Sequence, residues 1–403
     1  MKNKAENKPH FVPDKLKNTG IFTKASHIGR RTKDEFGFIN TPVYHGSTVC
    51  FPTAQSMRDR DAAYTYGLKS TPTTDALTDS LSELENAAGT CLQPSGLSAI
   101  ISPLLAILEA GDHLLITDSV YQPTRIAAKR LLSKLGIEIE YYDPLVGSEI
   151  STLFKSNTKA VLLESPGSQT FEMQDIDSII AACKAHDIIT LIDNTWGSPL
   201  YFQPISHGID ISINAGTKYL SGHSDLLLGY VSTNEKLWKQ VSEMNYIQGL
   251  SASADDVNLA LRGLRTMPLR MERHYESGMI IADWLEDRPE VAQVLHPALE
   301  SHPQHHFWKK SFSGANGLFS FILNDFSQDA VDHMVDHLDF FGLGYSWGGF
   351  ESLVVSFDPS SYRTATKWEA PGPALRLHIG LEDPRDLIAD LEKGFERLNN
   401  YKT

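Results

Sequence analysis

Residues 188–193 read Ile188-Ile189-Thr190-Leu191-Ile192-Asp193, an apolar run that ends in a carboxylate. Its length and its β-branched side chains predict a buried strand. Two comparable apolar runs precede it at 113–117 and 159–164, and helical patterns follow them at 124–135 and 176–186. Strands without polar alternation, separated by helices, are typical of a mainly parallel sheet that is covered on both faces. The middle of the chain is therefore predicted to be an α/β domain.

Outside this region the sequence pattern changes twice, which predicts three parts. Residues 1–68 show little periodicity and many turn formers, and we expect an extended arm that reaches a neighbouring subunit. Residues 69–264 make up the α/β domain. Residues 265–403, with helical patterns at 270–285 and 383–398, are predicted to form a smaller C-terminal α+β domain.

The bulk composition argues against several classes of protein. The 403 residues include 36 Lys and Arg against 50 Asp and Glu, a formal net charge of −14, so neither nucleic acid nor an anionic membrane is an expected partner. No run of about 18 apolar residues is present, and residues 1–18 contain no apolar core of the signal-peptide kind. Cys50, Cys91 and Cys183 show no disulfide framework and no CxxC spacing. A reducing, cytoplasmic location is expected.

The strongest chemical feature is a lysine within residues 214–225, Asn-Ala-Gly-Thr-Lys-Tyr-Leu-Ser-Gly-His-Ser-Asp. Lys218 stands there among small and hydroxyl-bearing side chains. A lysine amine attacks an aldehyde only after it loses its proton, and partial burial favours that loss. Most lysines at strand ends simply reach into water, so Lys218 becomes a candidate only together with other features.

Asp193 is the second feature, because it ends a predicted strand and lies 25 residues before Lys218. A carboxylate at the carboxyl end of a parallel strand faces the crevice where such sheets bind ligands. There it can keep the pyridine nitrogen of pyridoxal phosphate (PLP) protonated, so that the ring acts as an electron sink. A cap or turn role is the ordinary alternative for such an aspartate. A weaker third feature is the small-residue turn at 93–99, where amides at a helix start can bind phosphate.

Several motifs together carry a resemblance to a known family. They are Glu164-Ser165-Pro166-Gly167-Ser168, Asp193-Asn194-Thr195-Trp196, Thr217-Lys218-Tyr219, Gly222-His223-Ser224-Asp225, Tyr345-Ser346-Trp347-Gly348-Gly349 and Arg376-Leu377-His378-Ile379-Gly380-Leu381-Glu382-Asp383. From about residue 41 to residue 398 the chain resembles the Cys/Met-metabolism PLP-dependent enzymes, and within them the cystathionine β-lyase branch. The resemblance implies the aspartate-aminotransferase-like fold (fold type I), bound PLP and a homotetramer made of two dimers. It also implies carbon–sulfur cleavage of L-cystathionine to homocysteine, pyruvate and ammonia in methionine biosynthesis.

The same resemblance implies roles for individual residues. Lys218 would hold the cofactor and act as general base, Asp193 would pair with the pyridine nitrogen, and Tyr121 would stack on the ring. Tyr121 or Tyr66 would assist proton transfer. The remaining contacts would come from Gly96, Leu97 and Thr217 at the phosphate, from Arg376, Ser346 and Trp347 at the substrate, and from Tyr66 and Tyr246 of a neighbouring subunit.

Two positions at the implied phosphate site depart from the family's pattern. The arm motif Tyr-x-Arg reads Tyr66-Gly67-Leu68, which removes an arginine, and the usual serine two places before the lysine is Ala215. Lys69 is adjacent to Leu68, but successive residues of an extended chain point to opposite sides. Our hypothesis is that Lys69 supplies the missing charge, which requires a local twist.

Alternative functions stay open on the sequence. A cystathionine γ-synthase or γ-lyase would use the same lysine, aspartate and arginine, although Ser346-Trp347-Gly348-Gly349 favours the β-lyase branch. A broader cysteine or cysteine-S-conjugate lyase is a second alternative. A PLP-binding regulator without activity is a third.

The histidines raise the question of a metal site. His302, His305 and His306 are close in sequence, and His333 and His337 are four residues apart. The second pair lacks the His-Glu-x-x-His arrangement of zinc proteases. We expect solvated histidines and no metal.

Overall fold

The computed structural model describes residue 16 and residues 18–401 as two sheets with helices packed around them. Residues 1–18, for which the sequence predicts no signal-peptide core, lie outside the described residues except for Leu16 and Asn18. Within the described ranges, no helix is both long and apolar enough to cross a membrane.

The larger sheet has seven strands and is mainly parallel. They are β1 (Gly89–Gln93), β2 (His113–Thr117), β3 (Glu138–Tyr142), β4 (Thr158–Glu164), β5 (Ile189–Asp193), β6 (Ile211–Asn214) and β7 (Gly229–Thr233). Their order is β1-β7-β6-β5-β4-β2-β3, and only β7 runs antiparallel to its neighbours. The predicted strands at 113–117, 159–164 and 188–193 are confirmed to within one residue. The predicted fold class is confirmed with them.

Helices cover both faces of this sheet. They are α3 (Pro72–Glu85), α4 (Gly96–Ile107), α5 (Gln122–Ala127), α6 (Ile176–Ala185), α7 (Ser198–Tyr201), α8 (Pro204–His207), α9 (Glu235–Ile247) and part of α10 (Ala254–Glu286). Adjacent residues of one strand enter different apolar clusters: Leu191 packs with α4, and Ile192 packs with α6. Burial of alternate side chains on opposite faces explains why these strands are apolar throughout.

Helix α10 corrects a prediction. The sequence predicted a helix that starts at Arg270, after Pro268, whereas α10 runs from Ala254 to Glu286 with Pro268 inside it. The proline removes one main-chain hydrogen bond, but Leu264, Met267 and Met271 are buried on the same helix and stabilise it. The predicted boundary between residues 264 and 265 falls inside α10, so the division into domains stays a proposal.

The smaller sheet lies in the C-terminal part. Its strands are β8 (Val291–Leu295), β9 (Leu318–Leu323), β10 (Gly342–Leu343), β11 (Leu353–Phe357) and β12 (Ala374–His378), in the order β10-β11-β12-β9-β8. All neighbours are antiparallel except β10 and β11. The helices α11 (His305–Ser311), α12 (Gln328–Val335) and α13 (Pro384–Asn400) accompany it. This is the α+β arrangement that the sequence predicted.

The arm is not wholly extended, which corrects a second prediction. It contains α1 (Ile21–His27) and α2 (Ala54–Asp59). Arg265 of α10 donates to the carbonyl oxygens of Ala25 and Ile28, at 2.8 and 2.7 Å, which fixes α1 on its own subunit. Packing on α10 therefore stabilises α1, which has no capping side chain.

Candidate active site

The carboxyl ends of β4, β5 and β6 meet at one edge of the large sheet. Glu164 ends β4 and Asp193 ends β5, and the two are register partners across the strands. The turn that carries Lys218 follows β6, with the Lys218 amide donating to the Ala215 carbonyl at 3.1 Å. Ligands bind at this edge in open α/β sheets.

Lys218 reaches from this edge to the C-terminal part of the chain. Its amine donates to the Ser346 hydroxyl at 2.9 Å and lies 5.2 Å from the centre of the Trp347 ring. Burial, and then the positive charge of Arg376, lower the pKa of Lys218 to about 8, while Asp193 opposes the shift. A lysine so placed loses its proton readily and becomes a nucleophile and a base.

Asp193 is held by Thr195. One carboxylate oxygen, Oδ1, accepts from the Thr195 amide at 3.0 Å and from its hydroxyl at 2.5 Å. The Thr195 hydroxyl oxygen in turn accepts from the Ala215 amide at 2.9 Å. Burial raises the pKa of Asp193, and the Thr195 bonds and Lys218 oppose the rise. This leaves Oδ2 of Asp193 available to pair with a cationic ring nitrogen.

Glu164 is a neighbour of Asp193 for which the sequence suggested no role. Its Oε2 accepts from the Tyr121 amide at 2.8 Å, just before α5. Burial, and then the Asp193 charge, raise the pKa of Glu164 well above its usual range, which favours its neutral form. Glu164 ends a strand as Asp193 does, and this position in the sequence could have indicated a place at the site.

Tyr121 lies within reach of the charges of the carboxyl pair and of Arg376. The residue is 44% exposed, so a ligand can reach its side chain. Burial raises the pKa of the Tyr121 hydroxyl, Glu164 and Asp193 raise it further, and Arg376 opposes them. The hydroxyl is therefore protonated at neutral pH and can donate.

Arg376 lies on β12 and is buried. Its Nη2 donates to the carbonyl oxygens of Gly344, Tyr345 and Ser346, at 3.4, 3.0 and 3.1 Å. Burial lowers the pKa of Arg376 to about 10, so the guanidinium is still charged at neutral pH. Its buried Nε has no partner in the described part of the chain. A carboxylate ligand would satisfy such a donor.

The start of α4 provides free amides for a phosphate. Ser95 caps the helix by accepting from the Ser98 amide at 3.2 Å, and the Gly96 and Leu97 amides precede that bond. A Cβ on Gly96 would lie 2.7 Å from the Ala215 Cβ, so the helix start touches the turn of Lys218. The Thr217 hydroxyl already donates to Leu228 at 3.1 Å and accepts from its amide at 2.9 Å, and its phosphate contact stays a prediction.

Tyr66 and Tyr246 are not brought to this site within one subunit. Tyr66 pairs with Thr48 in the arm, and Tyr246 lies on α9. Their side chains are 48% and 50% exposed, and in the described part of one chain neither contacts Lys218, Asp193 or Arg376. Their predicted roles require a second subunit.

The chain at Leu68 is turned rather than extended, which removes one objection to Lys69. The Lys69 amide donates to the Tyr66 carbonyl at 3.0 Å, closing a turn. Leu68 is half-buried and Lys69 is exposed. The chain turns here, and the contact of Lys69 with the phosphate stays a prediction.

The described residues contain one group with metal-type ligands, His113, Glu138 and Glu140. The Lys155 ammonium lies among them, 2.7 Å from Glu138 and 2.5 Å from Glu140, and supplies the positive charge that a metal would bring. The prediction of solvated histidines is wrong for His302, which is buried with its Nδ1 accepting from the Gln304 amide, and His305 is half-buried beside the Pro297 carbonyl oxygen.

The donor set at the strand ends fits PLP: an amine, a carboxylate oxygen, an accessible aromatic side chain and helix-start amides. The sequence model of the Cys/Met metabolism PLP-dependent enzymes matches residues 22–396. The chain belongs to this family. As a member of the Cys/Met metabolism PLP-dependent enzymes, it is an enzyme that uses pyridoxal phosphate and acts on small amino-acid substrates.

Relatives within the family have more than one name. The chain is 53% identical to a Rhizobium johnstonii protein over 384 residues, covering 94% of this chain and 97% of that protein. It is 40% identical to cystathionine beta-lyase MetC of Escherichia coli over 387 residues, covering 93% and 98%. It is also 40% identical to L-alanine/L-glutamate racemase of Wolbachia pipientis over 401 residues, covering 95% and 98%.

A solved structure of the family has the same fold. It is cystathionine gamma synthase from Xanthomonas oryzae pv. oryzae in complex with aminoacrylate and cysteine, with a TM-score of 0.87 and 31% identity. The match covers 94% of this chain and 99% of that one. The chain thus shares its fold with a cystathionine gamma synthase and most of its length with a cystathionine beta-lyase, so the fold alone does not separate the two reactions.

Proposed function

We propose that this chain is a carbon–sulfur β-lyase that cleaves L-cystathionine to homocysteine, pyruvate and ammonia in methionine biosynthesis. The observation that carries the proposal is the contact between the Lys218 amine and Ser346, in a loop that Arg376 holds. The similarity to the Escherichia coli β-lyase over nearly the whole chain supports it.

Substrate binding follows from the charges at the site. Arg376 binds the α-carboxylate with the N–H groups that do not bond to the carbonyl oxygens of residues 344–346. Its planar guanidinium suits a carboxylate. The carboxylate then lies beside Ser346, which places the α-carbon near Lys218. Trp347 closes this side of the site with an apolar face.

Proton transfer follows from the lowered pKa of Lys218 and the raised pKa of Tyr121. When bound, PLP supplies the electron sink that stabilises negative charge at the α-carbon. Lys218, neutral above about pH 8 in the free site, takes the α-proton as general base. Asp193 would pair its free oxygen with the ring nitrogen of the cofactor, because Thr195 holds the other oxygen. The Tyr121 hydroxyl, protonated at neutral pH, gives a proton to the sulfur as the carbon–sulfur bond breaks.

Racemisation is a second candidate activity. The Wolbachia pipientis relative, at 40% identity over 95% of this chain, has a racemase name. Racemisation and β-elimination share the loss of the α-proton and differ in whether a proton returns or a leaving group departs. The site has two proton carriers, Lys218 and Tyr121, and the charges of Asp193 and Arg376 act on both. Two carriers are compatible with both outcomes.

Product analysis tests the proposal. Purified holoenzyme is given L-cystathionine, and homocysteine, pyruvate, cysteine and 2-oxobutyrate are quantified in one reaction. Equal amounts of homocysteine and pyruvate support β-elimination, whereas cysteine with 2-oxobutyrate indicates γ-elimination and overturns the proposal. In parallel, D-alanine formed from L-alanine measures racemisation. The Lys218→Ala variant is the control in both assays.

The working assembly is proposed to be a homotetramer of two dimers in a reducing cytoplasm. The half-exposed Tyr66 and Tyr246 support a shared site, as do the exposed arm residues Phe36 and Phe38, at 96% and 70%. The three cysteines are all unpaired, which agrees with a reducing compartment. An arm that leaves apolar side chains exposed on one subunit is expected to pack on another.

A further inference from the structure

The loop at the substrate side of the site, residues 344–349, is held from two points on one strand. We call it the Ser346 loop. Arg376 and His378 lie two residues apart on β12 and therefore on the same face. Arg376 donates to carbonyl groups at the start of the loop, and His378 Nε2 accepts from the Gly348 amide at 3.0 Å near its end.

Small movements of this loop would reach the reacting lysine directly. Ser346 lies 2.9 Å from the Lys218 amine. Gly348 has φ +83, and a Cβ there would come within 2.9 Å of the Lys218 and Tyr219 main chain. The loop thus packs on the backbone of Lys218, and His378 accepts the hydrogen bond of the Gly348 amide.

His378 can serve as this anchor only in one protonation state. A ring nitrogen accepts a hydrogen bond only when it carries no proton, so the proton must lie on Nδ1. The Gly349 carbonyl oxygen is 3.2 Å from the same Nε2. A proton on Nε2 would turn the ring into a donor to Gly349 and leave the buried Gly348 amide unbonded, which is costly.

The surroundings of His378 favour the neutral form. The side chain is fully buried, and the groups that face it are His274 from α10, Tyr219 beside Lys218, and the two cations Arg376 and Lys218. Burial, and then His274, Arg376 and Lys218, place the pKa of His378 well below its ordinary value. Two positive charges nearby repel a third.

His274 packs beside His378 and has a defined tautomer of its own. His274 Nδ1 lies 2.8 Å from the Ile379 carbonyl oxygen, which can only accept, so its proton is on Nδ1 and its Nε2 is an acceptor. The His378 Nδ1 proton is a donor, and the two rings are 5.2 Å apart between centroids. Both atoms, with the Tyr219 hydroxyl, are buried without a partner in the described part of the chain.

We propose that His378 is a positioning residue, which fixes the substrate's α-carboxylate site by anchoring Gly348 as a neutral imidazole. It touches neither substrate nor cofactor and acts through the Ser346 loop. The proposal rests on the proposed function only in placing the carboxylate at Arg376 and Ser346. It does not depend on which bond of the substrate is broken.

The test compares two amide replacements of different reach in the holoenzyme. In His378→Gln the amide oxygen can reach the position of Nε2, whereas in His378→Asn it reaches only that of Nδ1. Glycine and ethylamine are the probes, because glycine has the carboxylate and ethylamine lacks it. Binding of each is followed by the change in visible absorbance of the bound cofactor.

We expect His378→Asn to weaken glycine binding about tenfold, from the loss of one buried hydrogen bond, and to leave ethylamine binding unchanged. His378→Gln should restore glycine binding to near the wild-type value. Unchanged glycine binding in His378→Asn, equal weakening of both probes, or no restoration by His378→Gln would each overturn the proposal. If the two variants show this pattern but the wild-type enzyme forms 2-oxobutyrate from L-cystathionine, the β-lyase function is refuted and the role of His378 stands.

Discussion

The Lys218 amine and the Ser346 hydroxyl are 2.9 Å apart although 128 positions separate them in the chain. Lys218 follows β6 of the large sheet, and the loop of Ser346 precedes β11 of the smaller sheet. The site therefore forms only where the two sheets are docked. Changes at either side should alter the chemistry of the lysine.

The first prediction concerns the pH at which Lys218 becomes reactive. Its pKa is lowered to about 8 from 10.5, so the amine is protonated below that pH and neutral above it. The rate at which apoenzyme covalently captures PLP should rise about tenfold per pH unit below 8 and then level off. Stopped-flow absorbance between pH 6 and 10 measures this rate. A rise that continues to pH 10, as for a lysine in water, would disagree with the buried amine.

The second prediction concerns the missing arginine at the phosphate. If Lys69 supplies the charge, Lys69→Ala should weaken PLP binding about tenfold, and Leu68→Arg should tighten it by restoring an arginine. Lys33→Ala, another exposed lysine of the arm, is the matched control. Equilibrium titration of apoenzyme with PLP gives the three dissociation constants. Unchanged affinity in Lys69→Ala would show that the hypothesis is wrong.

The third prediction concerns the subunit that provides Tyr66. Lys218→Ala and Tyr66→Ala are each expected to have little activity alone. In hybrids, one site combines an intact Lys218 with an intact Tyr66 from the neighbour. Mixing and refolding the two variants should then recover about a quarter of wild-type activity, since half of randomly formed dimers are hybrids with one good site. No recovery would mean that Tyr66 acts within its own subunit.

The fourth prediction concerns stability in acid. His296 is buried, and its Nδ1 accepts from the Ala298 amide while its Nε2 contacts the Asn316 carbonyl oxygen. Burial lowers the pKa of His296 to about 4 from 6.5. Between pH 6.5 and about pH 4, His296 is protonated in the unfolded chain and neutral in the folded chain. Stability should therefore fall as the pH drops from 6.5 towards 4, by up to about 3 kcal/mol for this residue.

Urea unfolding midpoints at pH 7, 6 and 5 measure this loss. His296→Gln should have a shallower dependence on pH than the wild type, because it removes a group that titrates in this range. His337→Gln changes an exposed histidine and should follow the wild-type curve. Parallel curves for all three proteins would contradict the prediction.

The fold could be predicted where one signal dominated. Continuous apolar runs identified β2, β4 and β5 to within one residue, because strands buried on both faces have no polar alternation. Pro268 misled the interpretation of α10, since burial of Leu264 and Met267 outweighs the lost hydrogen bond. Helix α1 gave no signal because packing on α10, rather than a cap, stabilises it.

The site could be predicted less completely than the fold. Asp193 was predicted from its place at the end of a strand, Lys218 from the small and hydroxyl-bearing residues around it, and Arg376, Ser346 and Trp347 from the family resemblance. Glu164 and His378 received no role because their roles depend on partners far away in sequence. Strand register places Glu164 beside Asp193. His378 accepts a hydrogen bond from Gly348, which lies 30 positions earlier in the chain.

The most direct measurement of the central claim is borohydride reduction of the holoenzyme, followed by mapping of the labelled peptide. We expect one cofactor per chain, attached at Lys218, with loss of pyruvate release from L-cystathionine after reduction. Label on a different lysine, or a reduced protein that still releases pyruvate, would contradict it.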